Sequence, residues 1–186
     1  QGYSSFIINR QIIWEVNAFY SPDHNSVYIP PQLLGIMGPG ASKPFRSATI
    51  KFIVAHEISH SLDPASIQFF ANGQFGTLYP NHYHPQYFDV LHCLARNAER
   101  RGIPAYQTLG ESFADALGWH LLSEDRKGSS PELAALGFEA HDTAASLMLA
   151  RTWCTNPLSL KGSRLNYSLH HDEHPPPNFR VDNTLA

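Results

Sequence analysis

The chain has 186 residues, 42% of them hydrophobic and 16% charged, with a formal net charge of -3. That balance fits one folded domain with a sizeable core and excludes a disordered or fibrous chain. It has no long basic run that would favour nucleic acid or an anionic membrane surface, and no apolar run of membrane-spanning length.

Residues 6–20 are rich in Ile, Phe, Trp, Val and Tyr, and a strand is expected over 12–20. Ser21-Pro22-Asp23-His24-Asn25 is a turn cluster. Val27-Tyr28-Ile29 returns as a second strand and stops at Pro30-Pro31, so the pattern predicts a hairpin. Residues 33–45 read as a Gly/Pro-rich loop. Ser47 is the expected cap of a helix over 48–62, which Pro64 closes; Ile50, Ile53, Val54 and Ile58 are its expected buried packing.

That helix carries His56-Glu57-Ile58-Ser59-His60, a His-Glu-x-x-His motif. At 3.6 residues per turn the two imidazoles lie one above the other and can share one zinc ion, with Glu57 beside the metal. The plainer reading is two surface histidines on an amphipathic helix. Eleven histidines in the chain lean toward a metal.

Residues 64–85 read as loop, with a turn at Asn72-Gly73 and with His82 and His84 as solvated side chains. A helix is expected over 87–101, with Phe88, Leu91, Leu94, Ala95 and Ala98 as its apolar face, Cys93 in the packing and Gly102 as its stop. The next helix is expected over 108–123, with Thr108 and Glu111 as a capping box. Glu111 and Asp115 are four apart and share a face. Glu111 is the kind of ligand a two-histidine zinc site lacks, and Asp115 could take the free N–H of a bound histidine. Beyond it, Ser130-Pro131-Glu132 reads as a helix start, and 142–153 as a helix burying Ala145, Leu149 and Trp153. The remainder reads as loop and strand, with His170, His171 and His174 before Pro175-Pro176-Pro177, and Arg180 after them.

Taken together these stretches resemble a family. Asn17-Ala18-Phe19-Tyr20-Ser21-Pro22, the segment His56 to Asp63, Thr108-Leu109-Gly110-Glu111-Ser112-Phe113-Ala114-Asp115, Trp153-Cys154 and His174-Pro175-Pro176-Pro177-Asn178-Phe179-Arg180 occur in the order seen in neprilysin and the endothelin-converting enzymes. The resemblance covers nearly the whole chain. It implies an α+β gluzincin core, thermolysin-like, mainly helical with a small N-terminal β-sheet. It implies one zinc per chain on His56, His60 and Glu111, with Glu57 as catalytic base and Asp115 as the acid behind a ligand. It assigns the substrate backbone to Asn17 and Ala18, transition-state support and the binding of a substrate carbonyl to His174 and Arg180, and the apolar pocket beyond the scissile bond to Phe52, Ile53 and Trp153. Ser112 stands where the family has Asn, and the family's Asp-Asp after the motif is not kept.

The implied activity is hydrolysis of small peptides on the amino side of hydrophobic residues. The family setting implies an extracellular or cell-surface enzyme, with residues 1–186 a single catalytic domain lacking the family's N-terminal anchor, helical lobe and C-terminal tail. Asn166-Tyr167-Ser168 is then an N-glycan acceptor. The family's cysteine pairing implies that Cys93 and Cys154 are not bonded to each other. The alternative function is an inactive homologue that binds peptides or a partner. A structural zinc usually takes four Cys/His ligands, and neither cysteine lies near the motif in sequence.

Overall fold

The computed structural model describes residues 17–35, 43–76, 84–124 and 174–185. The expected strand residues 12–16, the helices expected near 130 and over 142–153, His82, His170, His171, Trp153, Cys154 and Asn166 lie outside them.

The hairpin forms around the turn cluster. Strands β1 (Phe19–Ser21) and β2 (Ser26–Tyr28) pair antiparallel, with Phe19 opposite Tyr28 and Ser21 opposite Ser26. Asn25 supplies the left-handed residue of the turn at φ 45°, a conformation Asn tolerates better than most. After Pro30 the chain makes a 3-10 turn, Pro31–Gly35, where a loop was expected; its Leu33 is buried against Ala18 and Ile53.

Helix α1 (Lys43–Ser59) begins four residues before the expected cap at Ser47. Pro44 is in the first turn, where its missing N–H costs nothing, and so it opens the helix instead of breaking it. The motif's last residue begins a 3-10 turn, His60–Leu62, which ends at Asp63-Pro64. The expected apolar packing is only partly realised. Ile53 is buried, Ile50 and Val54 are half-buried, and Ile58 is 50% exposed. Thr49, Phe52, Ile53, His56 and Glu57 are buried along the i, i+3, i+4, i+7 face that carries the motif, and Ser59 is buried at the helix end.

Helix α2 (Pro85–Arg100) starts two residues early, capped by His84, whose Nδ1 accepts the Gln86 N–H at 3.4 Å. Leu94 and Ala98 are buried as expected, while Phe88 is exposed. Cys93 is exposed too, which corrects its expected place in the packing.

Helix α3 (Ala105–Glu124) packs on α1, α2 and the last helix. The expected capping box is absent because the helix begins earlier. Thr108 lies in the first turn, and its hydroxyl donates back to the Pro104 carbonyl at 3.1 Å, a bond open to a helical threonine. Glu111 is thereby free to face α1.

The final segment, expected as loop and strand, is helix α4 (Pro177–Leu185). Pro177 occupies the first helical position, where proline is favoured. Phe179 is buried with Ala98 and Ile103 and pins α4 beside α2.

The approach of α1 to α3 is set at Gly118. A β-carbon there would lie 2.9 Å from the His56 backbone nitrogen, so only glycine permits this spacing. Gly118→Val is expected to destabilise the fold by about 1–3 kcal/mol through overpacking, read as a lower denaturation midpoint in urea with an unchanged slope.

Candidate metal centre

Two helices and the start of a third element supply the site. His56 comes from the end of α1, His60 from the 3-10 turn that follows it, and Glu111 and Asp115 from one face of α3. His174 and Arg180 come from the segment that enters α4 and from α4 itself. His56, Glu57, Glu111, Asp115 and Arg180 are buried.

Three ligand atoms converge. His56 Nε2 and His60 Nε2 are 3.1 Å apart, and each lies 3.3 Å from a Glu111 carboxylate oxygen. Among the described residues this is the group of metal-ligating side chains whose donor atoms cluster. Ligands about 2.0–2.1 Å from a tetrahedral zinc ion stand about 3.3–3.4 Å from one another. Here the contacts run to both Glu111 oxygens, Oε2 toward His56 and Oε1 toward His60, and one donor atom from each of the three residues lies within 4.8 Å of the others; the donor set, two imidazoles and a carboxylate, suits zinc.

The outer imidazole nitrogens also face carboxylates. His60 Nδ1 donates to Asp63 Oδ2 at 2.7 Å. His56 Nδ1 lies 3.0 Å from Asp115 Oδ1, although the contact is off the ideal hydrogen-bond line. A proton on each Nδ1 leaves both Nε2 lone pairs directed inward, the tautomer a metal ligand needs.

Asp63 is the residue that sequence reasoning passed over. Its Oδ1 accepts the backbone N–H groups of Ala65 at 2.9 Å and Ser66 at 2.7 Å, which leaves Oδ2 for His60. The available signal was an acid three residues after a candidate ligand, at a helix end where its carboxylate could also cap the next turn.

Arg180 is not at an open cleft. Its Nε and Nη2 donate to the two Asp115 oxygens at 2.7 Å each, and Nη2 also donates to Glu111 Oε2 at 3.1 Å. The resemblance implies a substrate-carbonyl contact for Arg180, and these bonds engage its Nε and Nη2. His174 is at the rim, with its Nε2 3.5 Å from Glu111 Oε1. Phe52 is interior, packed with Leu122 and Trp119, and Ile53 is interior with Ala18 and Leu33. Asn17 is exposed just before β1, and Ala18 beside it is buried.

The charges are strongly coupled. Burial alone would raise the Glu111 pKa, but hydrogen bonds from His56 and His60 hold it well below the usual carboxylate range. Burial raises Asp115 too, and the Arg180 charge reverses this. Burial would lower His60, but Asp63 and Glu111 outweigh it and push it up to about 10. Glu57 is the exception among the acids. Burial raises its pKa, and the nearby histidine charges only partly offset the rise.

The sequence profile of peptidase family M13 matches residues 17–186. The chain is 25% identical over 183 residues to an endothelin-converting enzyme homolog of Locusta migratoria, covering 92% of this chain and 25% of that protein. It is 25% identical over 189 residues to human membrane metallo-endopeptidase-like 1, covering 91% and 23%. The chain thus spans about a quarter of the length of these curated relatives. The Mycobacterium tuberculosis zinc metalloprotease Zmp1, solved with an inhibitor, superposes with a TM-score of 0.73 at 19% identity, covering 91% of this chain and 28% of that one. PepO from Lactobacillus rhamnosis gives 0.71 at 24% identity, covering 91% and 26%. The fold is the one the resemblance implied: α+β, mainly helical, with a small two-stranded sheet.

Two outcomes are expected. Asp63→Ala should weaken zinc binding about 10–100-fold, the usual cost of losing a carboxylate behind a histidine ligand, measured by chelator competition. In the metal-free chain His60 is protonated up to about pH 10 instead of its ordinary 6.5. Its pairing therefore stabilises the metal-free fold fully below pH 6.5, and that stability is lost as the pH rises through about 10. Zinc must displace this proton, so apparent zinc affinity should rise with pH across the same window. Calorimetry in buffers of different ionisation enthalpy should then register proton release.

Proposed function

The chain belongs to peptidase family M13, and from that premise we propose that it is a zinc-dependent endopeptidase acting on small peptides, on the amino side of hydrophobic residues. The observation that carries the reading is the convergence of His56, His60 and Glu111 with a buried Glu57 beside them.

A zinc ion held by these three ligands supplies Lewis acidity, polarising a carbonyl and lowering the pKa of bound water to about 7. The rest is the work of side chains. Glu57 takes a proton from the attacking water and delivers it to the leaving amine; burial raises its affinity for that proton, as a shuttle requires. His174, at the rim, donates to the developing oxyanion, a contribution worth about 2.7–4 kcal/mol of barrier in comparable sites. Asp115 and Asp63 orient the two histidines. Arg180 keeps Asp115 and Glu111 ionised and in place, and so supports the step from behind the ligands. The peptide backbone aligns along the Asn17–Ala18 edge as an added strand. Phe52 and Ile53 form the floor beneath the pocket that takes the hydrophobic side chain, with Trp153 assigned there by resemblance.

The same resemblance supports an extracellular setting, an N-glycan at Asn166 and any membrane attachment through an anchor outside these residues. No helix among the described residues is long and apolar enough to cross a membrane.

The test is cleavage of a quenched fluorescent peptide with a bulky apolar residue after the scissile bond. Cleavage should stop on chelation and return with zinc. Glu57→Gln should keep zinc and lose about 10²–10⁴-fold in turnover. Peptide binding without turnover in the zinc-loaded, unaltered chain would replace this reading with that of an inactive binding module.

A further inference from the structure

The hairpin that carries the proposed substrate edge is held at both ends, and both anchors lead back to the metal helix. At its base, Ala18 is buried against Ile53 of α1. At its tip, Gly73 packs directly on the Asp23 carbonyl. Gly73 has φ +79°, and a β-carbon there would overlap the Asp23 oxygen and lie 2.6 Å from its carbonyl carbon. Both the backbone conformation and the space therefore require glycine. Asn25 adds a polar link: its Oδ1 accepts from the Tyr20 hydroxyl at 2.9 Å, and its Nδ2 donates to the Ala71 carbonyl at 3.4 Å.

The turn that makes these contacts is itself braced. Phe70 N–H donates to the Gln74 carbonyl, Gly73 N–H to the Phe70 carbonyl, and Gly76 N–H to the Gln68 carbonyl, at 2.8–2.9 Å. It is also continuous with the ligand-orienting acid, since Ile67 N–H donates to the Asp63 carbonyl at 3.0 Å. Ten residues thus run from the carboxylate that fixes His60 to the tip of the hairpin.

We infer that the turn around Gly73 is a clamp that sets the position of the substrate edge relative to the metal ligands, with Gly73 as a positioning residue. The inference rests on the peptidase reading for its consequence, but not for its structural content. A clamp of this kind acts on where the peptide backbone lies and leaves metal affinity untouched.

The experiment is amide hydrogen exchange by NMR on the full zinc-loaded chain, unaltered and as Gly73→Ala. Exchange in β1 and β2 should quicken about tenfold or more, while amides of α1 around His56 stay within about twofold. Peptide kcat/KM should fall about tenfold or more, mainly through KM, with zinc affinity unchanged. Should Gly73→Ala fail to fold, Asn25→Asp removes the Nδ2 donor to the Ala71 carbonyl while keeping a residue that tolerates the left-handed turn, and should shift the hairpin in the same direction. Unchanged hairpin exchange, or equal loosening of α1, overturns the clamp. Absence of cleavage by the unaltered chain overturns the peptidase reading, while the exchange data still decide the clamp.

Discussion

Glu111 is buried between α1 and α3, and its two carboxylate oxygens lie 3.1–3.5 Å from His56, His60, His174 and Arg180. An isolated buried carboxylate costs several kcal/mol, so this one persists only because cationic or chargeable partners surround it. Those partners come from α1, from the turn after it and from the segment that forms α4. A single buried acid therefore ties three parts of the chain together, and no one of them can move away without leaving a charge uncompensated. Gly118 makes the arrangement possible by letting α3 come close enough to α1 for the acids of one to meet the histidines of the other.

The sequence was most informative where chemistry requires fixed spacing. His56 and His60 at i and i+4, and Glu111 and Asp115 at i and i+4, each define a face without reference to the rest of the chain, and the structure sets these faces opposite each other. It was least informative where hydrophobicity was the guide. On α1 the residues Ile50, Ile53, Val54 and Ile58 read as the core face, but only Ile53 is buried, and it shares that face with Phe52, His56 and Glu57. A buried polar site reverses the usual pattern, because its polar side chains are satisfied by one another. Thr108 misled for a related reason. Its hydroxyl finds a partner within the helix as readily as at the cap. Helix α4 escaped notice because three prolines precede it, and a proline run looks like loop until its last member is placed at the first helical position.

The two histidines are held by different means. Asp63 is local to His60, three residues away, and its other oxygen is fixed by two backbone donors of the next turn. Asp115 reaches His56 from another helix and is itself held by Arg180, 65 residues further along the chain. The first contact is local, between residues three apart in the turn that follows α1. The second requires α3 and α4 to be docked. The geometry around His56 thus depends on tertiary packing: Asp115 was expected behind a histidine, whereas its hold by Arg180 joins two helices and was not.

The balance of charge explains how such a site can exist before a metal arrives. Glu57, Glu111, Asp63 and Asp115 are opposed by one permanently charged group, Arg180, so the centre is strongly negative while the imidazoles are neutral. Two protons, or one divalent ion, restore much the same balance. The acids accordingly raise the pKa of both histidines above the ordinary value although burial alone would lower it. The two histidines hold Glu111 at 3.3 Å each, with one ligand atom from each of the three residues within 4.8 Å of the others. Metal uptake then becomes an exchange of protons for zinc within a nearly fixed frame. Most of the ordering cost is met in folding, and little conformational entropy remains to be lost on binding.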